Sequence, residues 1–292
     1  MPGSSVTSLP LVGFVAVWIP AMVAASYIWG HGEYYDYGWF VPPAALLLAV
    51  RRWRESSGPV TLPRRGLLLG LAAVWLPWVL VLRVLGYADP SWRLPMILLG
   101  ITAAASGHWL IGTSRGWRNS ARFLWITFLC LSALPWPSVV ESGIIHHLTH
   151  WVVTAVAGVF QNFGKPVDVL GDRLQWNAIT VEVTDGCSGV RSFQSFVMAT
   201  WFFVELQRLR LTQATVLLVS ACGAAFLINM ARTYALATIR FSYGEAAFSR
   251  AHNWLGLLAF AVGGIFFYIL SGRLSHGPRR KVLRTTVAGP QA

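Results

Sequence analysis

Thr212–Arg232 reads TQATVLLVSACGAAFLINMAR, twenty residues without a formal charge and then an arginine. A helix needs about 20 mostly apolar residues to cross the hydrocarbon core of a bilayer. The stretch therefore reads as a membrane span with a cation at its edge. Working outward, the same pattern recurs at 9–29, 37–50, 67–86, 94–112, 123–139, 189–206 and 254–271. These eight segments predict an all-α polytopic membrane protein, one integral-membrane domain over 1–292. The second segment is short, and Pro42-Pro43 in it predicts a kink or a partly re-entrant entry.

Composition agrees. The chain has 292 residues, of which 55% are hydrophobic and 12% charged, with a mean hydropathy of +0.55. Ordinary soluble domains are far more polar. The first apolar stretch, 9–29, has no basic segment before it and no small-residue cleavage site near its end, so it reads as a retained helix. The net charge of +12 does not indicate nucleic-acid binding, because the cations cluster in short loops between spans. Fifteen of the 23 basic residues fall in 51–66, 113–122, 207–211 and the carboxy-terminal tail, with only Glu55 and Glu205 among the acids. The alternate loops hold the other nine acids. Lysine and arginine bias sets orientation, so the basic set is expected in the cytoplasm with both termini. Trp29, Trp39, Trp92, Trp136, Trp151 and Trp254 stand near span ends, as an interfacial belt would.

This topology gives three polar residues a shared side. Cys187 precedes the sixth span, Arg232 ends the seventh and His252 precedes the eighth, and all three edges are expected on the outer face. A thiol, a fixed cation and an imidazole suit acyl transfer by a cysteine nucleophile. Gly186 and Gly189 allow close backbone approach at Cys187. Ser188 is expected to cap the sixth helix, which would lower the thiol pKa, and Arg191 to add positive potential one turn later. Taken singly, each has a plainer reading. A lone cysteine is ordinarily a small core side chain, an interfacial arginine snorkels, and an interfacial histidine is solvated. Asn229, one turn inside Arg232, places a second polar group on that helical face. Cys130 and Cys222 lie mid-span and give no disulfide framework.

The longest outer segment runs over 140–187. Its first part, 142–163, reads as a helix at the interface. His146 and His150 share a helical face, a metal-ligand spacing, but no other ligand stands at a suitable distance, and no metal or cofactor is expected. From 166 to 183, a Gly171-Asp172 turn signal and a β-branched alternation predict a small extracytoplasmic β-hairpin leading to Gly186 and Cys187.

The ordered set Cys187-Ser-Gly-Val-Arg191, Asn229-Met-Ala-Arg232 and His252-Asn-Trp-Leu-Gly256 resembles the exosortase/archaeosortase family. The Gly164-Lys-Pro-Val lead-in and an early Tyr37-Gly-x3-Pro42 followed by Arg51-Arg52 are also similar, so the likeness spans most of 30–270. Asp185-Gly186 departs from the Glu-Ala common in that family, and no histidine stands beside Gly38. The resemblance implies a membrane cysteine protease or transpeptidase acting on sorting signals of the PEP-CTERM type. Cys187 would be the nucleophile, Arg232 the oxyanion or substrate stabiliser and His252 the acid/base. The substrate would be the carboxy-terminal tail of an exported protein: a short motif, one transmembrane helix and a basic cluster. Implied surroundings are the lipid bilayer of the inner (cytoplasmic) membrane, with the site on the extracytoplasmic face. Two other readings stay open on the residues alone: a transporter with Arg232 and His252 on a polar path, and a non-catalytic subunit of an envelope polysaccharide or export system.

Overall fold

The computed structural model describes residues 4–31, 34–56, 58–183 and 189–275. They form eleven helices and a small sheet. In order these are α1 (Ser4–Ala16), α2 (Ile19–His31), a 3-10 turn (Asp36–Phe40), α3 (Val41–Glu55), α4 (Arg65–Ala88), α5 (Arg93–Arg115), α6 (Trp117–Ala121), α7 (Leu124–Ser132) and α8 (Ser138–Asn162). Then follow β1 (Asp168–Leu170), β2 (Arg173–Trp176), β3 (Ile179–Glu182), α9 (Val190–Gln207), α10 (Leu211–Tyr243) and α11 (Glu245–Ser275).

Prolines set several boundaries. Pro20 lies in the first turn of α2, where it interrupts the ladder from α1, because proline lacks the N–H and its ring meets the carbonyl four residues back. Pro42 and Pro43 stand in the first turn of α3. The amides there have no intrahelical partner, so the pair starts a helix. The 3-10 turn Asp36–Phe40 leads directly into this helix. The expected span 123–139 is cut short at Ser132, since Pro135 and Pro137 cannot continue the helix, and α8 restarts at Ser138.

Among the described residues, six segments are long and apolar enough to cross a membrane: Ser8–His31, Arg65–Ala88, Arg93–Arg115, Ser138–Asn162, Leu211–Tyr243 and Glu245–Ser275. By that criterion the count is six, against the eight expected. Three of the expected segments became α3, α7 and α9, with 15, 9 and 18 residues. The stretch expected to lie at the interface forms α8, a helix of crossing length. Large apolar side chains such as Leu69, Val74, Leu80, Leu257 and Ile265 face outward from α4 and α11. In water such faces would be a liability; in lipid they are the contact surface.

Long-range polar contacts define two ends. At one, the basic end, Arg115 Nη1 donates to the carbonyls of Trp53 and Ser56 (3.0 Å each), tying α5 to α3. There Glu205, fully buried, accepts from Arg52 Nε at 2.7 Å and pairs with Arg208. Arg208 in turn holds Glu55 at 2.5 Å. At the other end Tyr37 donates to the Ser132 carbonyl (3.0 Å) and Trp29 Nε1 to that of Ala133 (2.7 Å). Tyr35, buried there, accepts from the Trp136 amide at 2.9 Å. Burial pushes its phenol well above the ordinary range, so it remains neutral. Arg93 pairs with the buried Glu141 beside it.

The sheet is a three-stranded antiparallel meander, β1-β2-β3, where a two-stranded hairpin was expected. Gly171 makes the expected first turn at φ 62, and Asn177 makes a second at φ 55. Asparagine tolerates that left-handed region better than most residues. Leu174, Val181 and Val183 pack on Val152, Val156 and Phe160 of α8 and on Ala237 and Phe241 of α10. At 33 residues, α10 is about 50 Å long, well beyond a hydrocarbon core of about 30 Å. Its last third meets the sheet and α8.

Candidate active site

Arg232 and His252 sit across the hairpin formed by α10 and α11. The chain reverses at Gly244, whose φ of 80 suits glycine, so the two helices run back antiparallel. Arg232 is twelve residues before that turn and His252 eight after it. The arginine's long side chain closes the difference, and its Nη2 stands 3.2 Å from His252 Nε2. A guanidinium only donates, so in this contact Nε2 is the acceptor and the ring proton belongs on Nδ1. Both side chains are half-buried. Phe248, one turn before His252, lies with its ring centroid 5.9 Å from the imidazole. Gly256, one turn after it, lies beside the guanidinium: a Cβ there would stand 4.0 Å from Arg232 Nη2, an ordinary contact.

Asn229 is buried one turn inside Arg232. Its side chain fills the space beside Gly189, where a Cβ would fall 2.7 Å from Asn229 Cγ. Gly189 has φ 88 and occupies the N-cap position of α9. It thus supplies both a left-handed backbone and the absence of a side chain against Asn229. Helix α9 starts at Val190, its first-turn bond being Phe193 N–H to the Gly189 carbonyl (2.9 Å). Ser188, expected to cap this helix, and Cys187, the expected nucleophile, lie outside the described residues.

Arg191 lies in the first turn of α9. Its guanidinium pairs with Asp36 in the 3-10 turn, with Nε 3.2 Å from Oδ1. The pair is half exposed and joins α9 to the entrance of α3. This contact also places the start of α9 at the same end as Tyr35. Asn229, Arg232 and His252 belong to that end through Gly189. The sequence expectation that Arg232 and His252 meet is met in the structure, and Asn229 is their neighbour. Arg191 makes an interhelical contact with Asp36, and the effect expected of it on the Cys187 thiol falls on a residue outside the described ones.

His146, His147 and His150 are exposed on α8. His146 and His147 touch edge to face, and His147 leans on Trp151. Among the described residues no group of three histidines, cysteines or carboxylates is placed to hold a metal ion.

Sequence reasoning missed the cleft beside His252, a space of about 500 Å³. It lies between β3, Arg240 at the end of α10, and the first turns of α11. A signal was present: Glu245, Phe248, Ser249, His252 and Asn253 follow a spacing of three and four, one face of a helix. It went unread because α11 begins nine residues before the apolar span.

The helices and their outward apolar faces define a multi-pass membrane protein, with a guanidinium–imidazole pair at one end of its bundle. Within that class, a family model described as Transmembrane exosortase (Exosortase_EpsH) matches residues 29–269, and the chain belongs to that family. No curated protein and no solved structure matches it.

Proposed function

We infer that the protein is a membrane cysteine peptidase or transpeptidase. It cuts the carboxy-terminal sorting signal of an exported protein, with Cys187 as nucleophile, Arg232 holding the oxyanion and His252 as acid and base. The observation that carries this reading is the 3.2 Å contact of Arg232 with His252, beside Asn229 and the glycine that follows Cys187-Ser188. A transporter path would not need a guanidinium and an imidazole in direct contact next to a helix entrance two residues after a cysteine.

The Cys187 thiolate attacks the scissile carbonyl and forms a tetrahedral intermediate. As sulfur attacks, Arg232 turns to the developing oxyanion, which frees the Nε2 lone pair of His252 to take the Cys187 thiol proton, so that the thiolate forms and the imidazolium holds the proton for the next step. His252 then protonates the leaving amine as the C–N bond breaks, leaving a thioester on Cys187. An acceptor amine or water resolves the thioester and regenerates the thiol. No metal or cofactor takes part in this scheme.

The proposed membrane arrangement has eight crossings, with α3, α9 and the run from α6 through α7 (Trp117–Ser132) included and α8 excluded. Helix α9 joins the two ends, since Arg191 reaches Asp36 and Glu205 reaches Arg52. Helix α8 has Glu141 of its first turn beside Arg93 and Phe160 near its end on Tyr234 and Phe241. Both its termini are thus held at the site end. The basic end faces the cytoplasm, and the site faces outward. An exported substrate whose tail spans the same inner membrane presents its motif on that side.

The test is processing in cells of an exported protein ending in a motif, a helix and a basic cluster. Cys187→Ala and Cys187→Ser should abolish processing while the protein still inserts in the membrane. Undiminished processing by either variant would sink the assignment.

A further inference from the structure

β3 is an edge strand. Its pairing with β2 fixes which backbone groups are engaged. The Val183 amide donates to the Asp172 carbonyl at 2.9 Å. In register from there, Glu182 stands opposite Arg173, Val181 opposite Leu174 and Thr180 opposite Gln175. Hydrogen-bonded and non-hydrogen-bonded pairs alternate in an antiparallel ladder. Val181 and Val183 therefore face β2, whereas the N–H and C=O of Thr180 and Glu182 point away from it. Among the described residues these outward groups make no backbone hydrogen bond.

They open onto the cleft of about 500 Å³, a size within the ordinary range of ligand sites. Its opposite wall is the face of α11 that runs from Glu245 to His252. Seven residues of helix cover about 10 Å, the length of about three residues of extended chain. The wall ends at the imidazole that contacts Arg232.

The chemistry of the walls selects the occupant. Glu182, Arg240, Glu245, Ser249 and Asn253 are too polar for an acyl chain. Arg240 is held by Glu245 at 2.7 Å, so the arginine lining the cleft is already paired against an anionic headgroup. Alternating donors and acceptors along a strand edge match one ligand class, another polypeptide backbone.

We propose that this cleft binds the substrate as an added β-strand. About three residues next to the scissile bond pair through their backbone with Thr180 and Glu182, which delivers the following carbonyl to Arg232 and His252. The proposal rests on reading that end as a peptide-processing site.

The probe is the synthetic tail of an exported protein whose processing in cells requires Cys187, presented to the full-length protein in proteoliposomes. Single N-methyl groups are placed at each residue before the scissile bond. Pairing with β3 predicts an alternating pattern. N-methylation raises KM about tenfold at residues facing Thr180 or Glu182 and leaves KM nearly unchanged at those between. Because the change is in the substrate, protein folding is not perturbed. Glu182→Pro removes an outward amide from the edge strand together with the carboxylate that pairs with Arg173; compared with Glu182→Ala, which loses the carboxylate alone, it should raise KM for the unmodified tail and leave kcat unchanged. A flat N-methyl profile on a tail that is cut in a Cys187-dependent way overturns the strand pairing alone. Failure of the wild-type protein to cut the unmodified tail overturns the reading of the site, and this proposal with it.

Discussion

Gly189 carries two constraints that any other residue would break: a φ of 88 and a neighbour, Asn229, where its Cβ would go. Gly189→Ala should cost more than about 1 kcal/mol from the backbone alone. It should also push Asn229 away from the Arg232 face, so a lower Tm and a larger loss of processing are expected together. Arg232→Lys keeps the charge and loses the planar fork. Processing should fall about a hundredfold or more, as when one oxyanion donor is removed, with little change in Tm. Assays of both variants against a tail substrate measure these effects. At this scale the sequence was informative where polar residues break an apolar run. Arg232, Asn229 and His252 were legible for that reason. The partner of Arg191 was not, because Asp36 lies 155 residues away in a segment with no periodicity to place it.

Element boundaries depend on local chemistry more than on hydropathy. The apolar run through 123–139 conceals a helix end, because Pro135 and Pro137 are apolar as well as helix-breaking. The converse holds for α10 and α11. Their outer turns carry Thr233, Tyr234, Arg240 and Glu245, which hydropathy excludes from a span although helix formation continues. The second turn of the sheet, Asn177-Ala178, lacks the glycine that usually marks a hairpin, so one strand went unread. Glu205 shows how the short helices are held. It is fully buried and shared by Arg52 and Arg208. Removing one partner of a buried ion pair costs about 3–5 kcal/mol, so Glu205→Ala should sharply lower Tm in detergent. Glu141→Ala at the other end should act in the same direction but less, since Arg93 keeps its bond to the Trp136 carbonyl at 2.9 Å. Melting followed by fluorescence of the 15 tryptophans would register both.

The whole molecule sorts its polar chemistry by end. The arginines of 51–54, 115–122 and 208–210 gather at one, and Arg232, His252 and the sheet at the other. With Cys130, Cys187 and Cys222 replaced, a cysteine at Arg250 should react with a membrane-impermeant maleimide in intact cells. A cysteine at Arg54 should react only after permeabilisation. The reverse pattern would invert the topology. That charge counting could anticipate a shared end reflects a real economy: sidedness needs only the parity of crossings, whereas the number of spans needs every boundary. The cleft beside His252 needed the fold, because β3 and α11 are brought together by tertiary packing.

The central claim is that the scissile carbonyl passes through a thioester on Cys187, and a nucleophile stronger than water reveals such an intermediate. Wild-type protein in proteoliposomes is given the tail substrate with and without hydroxylamine, and the new carboxy terminus is read by mass spectrometry. The account predicts a carboxy-terminal hydroxamate that replaces the ordinary product in proportion to hydroxylamine and is absent with Cys187→Ala. A product that stays a carboxylate at every hydroxylamine concentration, or that forms equally with Cys187→Ala, would contradict it.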